Sequence, residues 1–317
     1  MKIKFIHPTQ MSKNGIISLF VLMAVSLLFS ACAGSSLAQQ LTEQDPGEVT
    51  LLHDKNGQYY AYIPNPIPSQ LQVLVVIHGT PQKWDSAEFT AHYYAQAWSD
   101  FAQDHGLILI VPAFTQEDFS SRYGDHALNG YRGLFGREIG ADEWVMRLVD
   151  TYQQHFAIEE NGFYLYGHSA GGQYTARFLV THPERILKAV ISSAATYPQP
   201  NKQVEWPFGM GELHAEIEWD DGTITQADVI PDEQTWLAAT QISLTVIVGL
   251  GDTAELPQYP GQKGIDRYTI ASNWVKDMCT FAEQHERECV FGFVIIPGRG
   301  HSMGGLLPYS QESFSLD

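Results

Sequence analysis

A serine stands between two glycines in the stretch Gly167-His168-Ser169-Ala170-Gly171, which follows a short apolar run and precedes a helical pattern. A serine hydroxyl is a poor nucleophile at neutral pH and must be activated by a neighbouring base. A sharp strand-to-helix turn lifts the hydroxyl clear of the backbone, and crowding in such a turn favours glycine two residues before and after the serine. The spacing therefore predicts a nucleophile at Ser169.

Two further side chains could activate this serine. Asp252 and His301 each follow an apolar run that predicts a strand buried in a parallel sheet. Because the carboxyl ends of parallel strands meet at one edge of a sheet, we expect them to lie beside Ser169. His301 would take the serine proton and return it to the leaving group, while Asp252 would orient the imidazole and stabilise its charged form. Glu255 is the alternative acid.

The negative charge that forms when a serine attacks a carbonyl needs two preorganised backbone N–H donors. Ala170 is one predicted donor of this oxyanion hole, because it follows the nucleophile at a helix start. The other is predicted at Thr80, in the turn after His78, since the next residue, Pro81, has no N–H. His78 and His168 are not predicted as second bases: we expect His78 to be structural and His168 to point away from the site.

The chain alternates between apolar runs and helical patterns, an order typical of a parallel sheet covered by helices on both faces. An Asn-Gly turn between two β-rich runs predicts a hairpin at Glu48–Asn65. Besides the strand before the serine, buried strands are predicted at Leu71–His78, Leu107–Pro112, Leu187–Ser192, Gln241–Gly249 and Cys289–Pro297. Helices are predicted at Ala91–His105, Ala141–Phe156 and Asp266–Gln284.

Two irregular stretches interrupt this order. Phe114–Gly140 is predicted to line one side of the site. An insertion at about Ser193–Thr240 would lie over the carboxyl ends of the strands, where open α/β sheets bind ligands. It is interpreted either as a lid that shapes the substrate pocket or as a structural loop packed on the sheet. The aromatic residues predicted for the pocket are Trp84, Tyr131 and Trp206.

Four short motifs together resemble the α/β-hydrolase superfamily: His78-Gly79, Gly167-His168-Ser169-Ala170-Gly171, Gly249-x-x-Asp252 and Gly300-His301. The chain order serine, aspartate, histidine is the one that this superfamily uses. Within it, the chain is similar to esterases related to polyhydroxyalkanoate depolymerases in the run GHSAGGQYTARFLVTHPERI, in Tyr197 and in Trp206-Pro207-Phe208-Gly209. The resemblance implies an α/β-hydrolase fold over residues 48–317, with a mostly parallel central sheet, helices on both faces and the insertion over the carboxyl ends of the strands.

The same resemblance implies hydrolysis of carboxylic esters, small or polymeric, through an acyl-enzyme intermediate without metal or cofactor. Two alternatives stay open. A serine peptidase or an acyltransferase would use the same three side chains on the same fold. A non-catalytic surface lipoprotein would have kept the fold for binding.

Composition narrows the class of partner. The 317 residues carry a formal charge of −18, with no acidic residue before Glu43. A surface this acidic repels phosphate backbones, which argues against a nucleic-acid partner. The length and a hydrophobic content of 44% are enough for one sizeable core, so we expect a single folded domain.

Residues 1–32 form a predicted export signal. Three lysines, Lys2, Lys4 and Lys13, precede an apolar run, Ile16–Phe29, that is too short to span a membrane. The small residues directly before Cys32 resemble the lipobox of bacterial lipoproteins. That resemblance implies a lipid anchor at Cys32, a polar tether over residues 33–47 and a place at the outer membrane of the bacterial envelope. The alternative is ordinary cleavage after Ala33 or Ala38, giving a periplasmic or secreted protein.

Two other cysteines, Cys279 and Cys289, are separated by ten residues. In an exported protein an even pair at this spacing predicts a disulfide, here between a helix and the strand that follows it. Two buried free thiols are the alternative. A metal site is not predicted, because no second pair of Cys or His stands at ligand spacing.

Overall fold

The computed structural model describes residues 41–120, 130–158 and 161–316. Strands in these residues are β1 (Thr50–His53), β2 (Gln58–Tyr62), β3 (Gln72–Ile77), β4 (Leu107–Pro112), β5 (Phe163–His168), β6 (Ile186–Ser192), β7 (Leu213–Glu218), β8 (Ile224–Val229), β9 (Ser243–Gly249) and β10 (Phe291–Ile296). Within the described chain, eight of them form one sheet in the order β1-β2-β4-β3-β5-β6-β9-β10. The first two pairings are antiparallel and the others are parallel, so the sheet is mostly parallel.

Helices cover both faces of this sheet. They are α1 (Ala87–Asp104), α2 (Gln116–Phe119), α3 (Ala141–His155), α4 (Ala170–Thr181), α5 (Glu233–Ala239), α6 (Arg267–Gln284) and α7 (Met303–Glu312). One apolar cluster packs α1 and α7 against the sheet, and the other packs α3, α4 and α6 against the opposite face. This arrangement confirms the α/β-hydrolase fold class expected from the sequence, with α1 starting earlier than predicted because Ser86 caps it.

Strand register brings the loops that carry Ser169, Asp252 and His301 together at the carboxyl ends of the strands. Ile77 of β3 pairs with Gly167 of β5, which sets the loop after β3 beside the turn after β5. Ile296 of β10 pairs with Gly249 of β9, so the loops after these strands are also neighbours. The inner strands are buried on both faces, as their continuous apolar sequences predict for parallel strands.

The insertion leaves the sheet at the carboxyl end of β6 and forms a separate hairpin from β7 and β8. The tip of this hairpin contacts the segment after β4: Gln116 donates to Asp220, and Arg137 forms an ion pair with Asp221 at 2.9 Å. All three tryptophans of the insertion are buried, Trp206, Trp219 and Trp236. Leu213, Ile217, Ala227 and Val229 of the hairpin are buried in the same apolar cluster as α4, so one face of the hairpin packs against the rest of the fold.

Folded structure starts no later than Leu41, ahead of the predicted boundary at Glu48. Leu41 and Gln44 are buried, and the Tyr152 hydroxyl donates to the side-chain oxygen of Gln44 at 3.2 Å. The export signal and Cys32 lie outside the described residues. Among the helices of the described chain, none combines the length and the apolar content that a membrane crossing needs.

A disulfide joins Cys279 to Cys289. Cys279 lies within α6, and Cys289 lies shortly before β10. The bond therefore ties the helix that follows the β9 loop to the strand that leads to His301.

Candidate active site

Ser169 lies in a strained turn between β5 and α4. Its backbone has φ 55° and ψ −112°, a conformation that non-glycine residues rarely adopt. A Cβ at Gly167 would lie 2.1 Å from the carbonyl oxygen of Gly171, and one at Gly171 would lie 2.1 Å from that of Ile77. Only glycine fits at these two positions, which is the physical reason for the spacing seen in the sequence.

The side chains of Ser169, His301 and Asp252 form one hydrogen-bonded line. Nε2 of His301 lies 3.0 Å from Oγ of Ser169, and its Nδ1 lies 2.8 Å from Oδ2 of Asp252. These are ordinary hydrogen-bond distances, with the imidazole between a hydroxyl and a carboxylate. The alternative acid, Glu255, is exposed on the loop after β9. Asp252, and not Glu255, contacts the imidazole.

The Asp252 carboxylate is buried and yet stays ionised. Asp252 is 3% exposed, and burial alone would raise the pKa of its carboxyl group. The hydrogen bond with His301 and the positive charge of Arg267 outweigh burial, so the pKa of Asp252 lies below its ordinary value of 3.8. Nη1 of Arg267 donates to Oδ1 of Asp252 at 3.1 Å. Each carboxylate oxygen therefore has its own partner.

Arg267 was missed by the sequence analysis. It is the first residue of α6, directly after the N-cap Asp266. A cation in the first turn opposes the helix dipole, which favours negative charge at that end. The Arg267 side chain is only 14% exposed and pairs with Asp252. A cation directly after an N-cap was the signal in the sequence that could have indicated a buried carboxylate partner.

The predicted oxyanion-hole residues flank the serine. Ala170 is the first residue of α4, so its N–H has no acceptor within that helix. Thr80 lies in the loop between β3 and α1 and lines the same cavity as Ser169. Thr80 lies in the loop after β3 and Ala170 directly follows Ser169, in the two segments that the sequence predicted.

His78 holds the loop that carries Thr80. The buried ring accepts the N–H of Phe114 at Nε2 (3.1 Å) and, through Nδ1, donates to the carbonyl oxygen of Gly79 (2.7 Å). Burial lowers the pKa of His78 to about 4, so the ring is neutral at physiological pH. These contacts confirm the structural role predicted for His78.

His168 lies against the imidazole of His301, and the prediction that it points away from the site is wrong. The two ring centroids are 5.0 Å apart, and Nδ1 of His168 lies 3.1 Å from Oγ of Ser192. Burial, together with the neighbouring His301, lowers the pKa of His168 to about 3. A second positive charge is thereby kept away from the imidazole that would receive the serine proton.

A cavity of about 560 Å³ opens beside Ser169. Its walls come from the loop after β3, from α1 and from the start of α7, and they include Phe89, Tyr93 and Met303. None of the described residues that line it belongs to the insertion, residues 193–240. In the described chain, no group of three or more His, Cys, Asp or Glu side chains is arranged to hold a metal ion.

The structure corrects the predicted pocket aromatics. Tyr131 is fully buried, donates to the carbonyl oxygen of His78 and stacks on Phe114. Trp206 is also buried and donates to the carbonyl oxygen of Gly133. Trp84 is exposed in the loop after β3 and is not among the residues that line the cavity.

The segment Phe114–Gly140 was predicted to line the site. In its described part, Phe119, Leu134 and Phe135 are buried in the apolar cluster with α3 and α4, and none of its residues lines the cavity. The prediction for this segment is therefore wrong in its described part, where the aromatic side chains fill the core.

Among curated proteins, the chain is similar to probable acetylxylan esterase A of Aspergillus terreus (strain NIH 2624 / FGSC A1156), with 22% identity over 219 residues that cover 64% of each protein. It is also similar to poly(3-hydroxyalkanoate) depolymerase C of Paucimonas lemoignei, with 25% identity over 186 residues that cover 56% of this chain and 41% of that protein. The matches span less than two thirds of the length of both curated relatives.

Among solved structures, the chain is similar to LpqC, a poly(3-hydroxybutyrate) depolymerase from Bordetella parapertussis, with a TM-score of 0.67. The match covers 88% of this chain and 92% of that one at 20% identity, so it shows a shared fold. The model of the alpha/beta hydrolase family matches residues 73–310, a range that contains Ser169, Asp252 and His301. The chain therefore belongs to the α/β hydrolase family.

Proposed function

We propose that this chain is an exported serine hydrolase that cleaves carboxylic esters through an acyl-enzyme intermediate. The observation that carries the proposal is the hydrogen-bonded line of Asp252, His301 and Ser169, with the serine in a strained turn at a helix start. Membership of the family and the names of the curated relatives, an esterase and a polyester depolymerase, support an ester as the substrate.

In the first half of the reaction, Oγ of Ser169 attacks the ester carbonyl while its proton passes to Nε2 of His301. Negative charge then develops on the carbonyl oxygen, and the N–H groups of Ala170 and Thr80 would bind it. Asp252, ionised at neutral pH, stabilises the imidazolium. When the carbon–oxygen bond breaks, the leaving alkoxide takes the proton from Nε2 and departs as the alcohol.

The second half repeats these steps with water. His301 takes a proton from a water molecule, whose oxygen attacks the acyl carbon bound to Ser169. Collapse of this second intermediate returns the proton to Oγ and releases the carboxylic acid. All the atoms of the ester and of one water molecule are recovered in the acid, the alcohol and the free enzyme.

Removal of the nucleophile tests the proposal. Ser169→Ala is expected to lower the turnover of nitrophenyl acetate by at least about a thousandfold and to abolish labelling by a fluorophosphonate. Ser99→Ala, on α1, is the matched control and should keep both activities. Unchanged turnover in a folded Ser169→Ala protein would refute the proposed function.

We also propose that the chain is exported and anchored through a lipid on Cys32. The leader sequence supports this, and so does the disulfide between Cys279 and Cys289, since such bonds persist in oxidising compartments. Mass spectrometry of the mature protein should find a lipidated N-terminal Cys32. A mature chain that begins at Gly34 or Gln39 would instead indicate ordinary cleavage and a free periplasmic or secreted protein.

A further inference from the structure

A buried tyrosine of α1 reaches the cavity beside the nucleophile. Tyr94 is 4% exposed, and it lines that cavity together with Ser169 and Thr80. Its ring lies edge-on to the buried ring of His78, with the two centroids 6.5 Å apart. The phenol therefore lies at the start of the loop that carries Thr80, the predicted second donor of the oxyanion hole.

The hydroxyl of Tyr94 and the side chain of Ser169 border the same small space at Gly79. A Cβ at Gly79 would lie 3.2 Å from the hydroxyl oxygen of Tyr94 and 3.5 Å from Cβ of Ser169. Glycine leaves this methyl-sized space unfilled. Because the peptide N–H of Thr80 directly follows Gly79, an oxygen bound by that N–H would lie next to the Tyr94 hydroxyl.

The phenol of Tyr94 is arranged as a hydrogen-bond donor. Its oxygen accepts from the backbone N–H of Gly79. Within the described residues its proton goes to no protein acceptor, in contrast to the Tyr131 hydroxyl, which donates to the carbonyl oxygen of His78. Burial raises the pKa of Tyr94 well above its ordinary value of 10, so the hydroxyl keeps its proton at neutral pH. It can donate to a ligand but cannot act as a base.

Packing alone does not account for this hydroxyl. The ring contact between Tyr94 and His78 would be made equally well by phenylalanine. A buried hydroxyl whose proton has no acceptor is costly, so an acceptor supplied by a ligand would stabilise it. A negatively charged acceptor forms a hydrogen bond about twice as strong as a neutral one. The benefit is therefore largest at the moment when charge develops on the carbonyl oxygen of the substrate.

We propose that Tyr94 is a further catalytic residue, whose hydroxyl donates a third hydrogen bond to the oxyanion formed at Ser169, beside the N–H groups of Ala170 and Thr80. This inference rests on the proposed function and adds a side chain to its oxyanion hole. The charge forms on the carbonyl oxygen when Oγ attacks, and it is lost when the carbonyl group forms again. Tyr94 keeps its proton throughout.

Removal of the single oxygen atom tests the inference. Tyr94→Phe should lower kcat for nitrophenyl acetate by about ten- to a hundredfold and change KM by less than about twofold, because the donor acts mainly on the transition state. Tyr152→Phe is the matched control: it removes a buried hydroxyl that donates to Gln44, outside the cavity, and should keep the parental kcat. Urea unfolding checks that both variants are folded. A parental kcat in Tyr94→Phe would overturn the inference.

A transition-state analogue separates a donor from a residue that only packs. A trifluoromethyl ketone adds to Ser169 and forms an oxyanion, whereas the matching methyl ketone binds without forming this charge. In Tyr94→Phe the inhibition constant of the trifluoromethyl ketone should rise by the factor by which kcat/KM falls, and that of the methyl ketone should stay the same. An equal rise for both ketones would show disturbed packing and would contradict the role of Tyr94.

Failure of the proposed function gives a different result. A parent protein that is labelled by a fluorophosphonate but hydrolyses no ester would refute the proposed function alone. The rate of labelling then decides the role of Tyr94, because the phosphonyl oxygen of the adduct occupies the oxyanion hole. Labelling of Tyr94→Phe should be at least about tenfold slower than that of the parent, and an unchanged rate would overturn the inference. A parent protein that is neither active nor labelled would refute both.

Discussion

The turn at Ser169 and the exposed aromatic side chains around the start of α1 are neighbours, since Phe89 and Tyr93 line the same cavity as the serine, yet the two regions are restrained to very different degrees. Around the serine, two glycines are enforced by backbone atoms at 2.1 Å, and the partners of His301 are fixed by hydrogen bonds. Around the start of α1, Phe89, Tyr93 and Trp84 are more than half exposed. The residues around the serine are fixed by steric contact and hydrogen bonds, whereas the aromatic side chains of the other region are accessible to a ligand.

The difference follows from what each region must do. Bond making needs atoms within a few tenths of an ångström, so the surrounding residues are restricted in type. Contact with the apolar part of a ligand needs only apolar area, which many residue types and positions can supply. Substitutions near Ser169 should therefore act sharply and specifically, and those farther away should act more weakly.

The largest effect is expected at the acid. Asp252→Asn keeps the shape of the side chain but should lower kcat for nitrophenyl acetate by about 10⁴-fold, the loss known for the same change in a serine protease triad. Glu255→Gln, three residues along the same loop and exposed, should keep parental activity. Comparable losses in both variants would contradict the assignment of Asp252.

The next effect concerns packing at the turn. An alanine Cβ at Gly171 would lie 2.1 Å from the carbonyl oxygen of Ile77, so Gly171→Ala should lower the free energy of unfolding by about 3 kcal/mol or more. At Gly292 in β10 the nearest atom is 3.5 Å away, an ordinary contact, and Gly292→Ala should change stability by less than about 0.5 kcal/mol. Urea unfolding of both variants measures the contrast, and equal stabilities would contradict it.

A smaller change in activity is expected at Arg267. Arg267→Gln removes the cation beside Asp252, which raises the pKa of that carboxyl, so activity should be lost at a higher pH on the acidic side. At neutral pH we expect about a tenfold loss in kcat/KM. Arg267→Lys keeps a positive charge and should restore part of the acidic limb. Identical pH profiles for all three proteins would show that Arg267 does not act through Asp252.

The smallest effect is on stability and depends on pH. The folded state lowers the pKa of His78 from 6.5 to about 4, so between these values the unfolded chain binds a proton that the folded chain does not. The free energy of unfolding therefore falls as pH falls through this range, by at most about 1.4 kcal/mol per pH unit for this residue.

Replacing His78 removes its titration. In His78→Asn, the difference between the free energies of unfolding at pH 7 and pH 5 should be smaller than in the parent by about 1–2 kcal/mol. His92→Asn, on the exposed side of α1, should keep the parental difference. Measurement by urea unfolding at both pH values decides, and a parental difference in His78→Asn would contradict the prediction.

The sequence predicts those site residues that lie in a turn requiring glycine or directly after the end of a strand. Gly167 and Gly171 are restricted by steric contact, so their spacing predicts the turn from the sequence alone. The sheet was legible for a similar reason, because strands buried on both faces, such as β3 and β4, must be apolar throughout.

The pocket aromatic residues and the role of Arg267 could not be predicted, because they depend on the direction of side chains in three dimensions. Tyr131 and Trp206 are as aromatic as Phe89 and Tyr93, and composition cannot tell which pair faces the core. The exposed pair could have been noticed from its spacing of four residues within a helical pattern. The pairing of Arg267 with Asp252 could not be predicted, because Asp252 lies fifteen residues earlier in the chain, on a different element.

The disulfide has a practical consequence for anyone who makes this protein. Among the described strands, β10 pairs only with β9, so it is an edge strand, and it leads directly to His301. A crosslink from α6 to the chain just before β10, closing a loop of ten residues, contributes about 2–3 kcal/mol in the chain-entropy model. Production in a reducing cytosol, or storage with a thiol reagent, removes that restraint from the edge strand β10, which leads to His301. We expect freshly reduced protein to have full initial activity and to lose that activity sooner during storage than the oxidised protein.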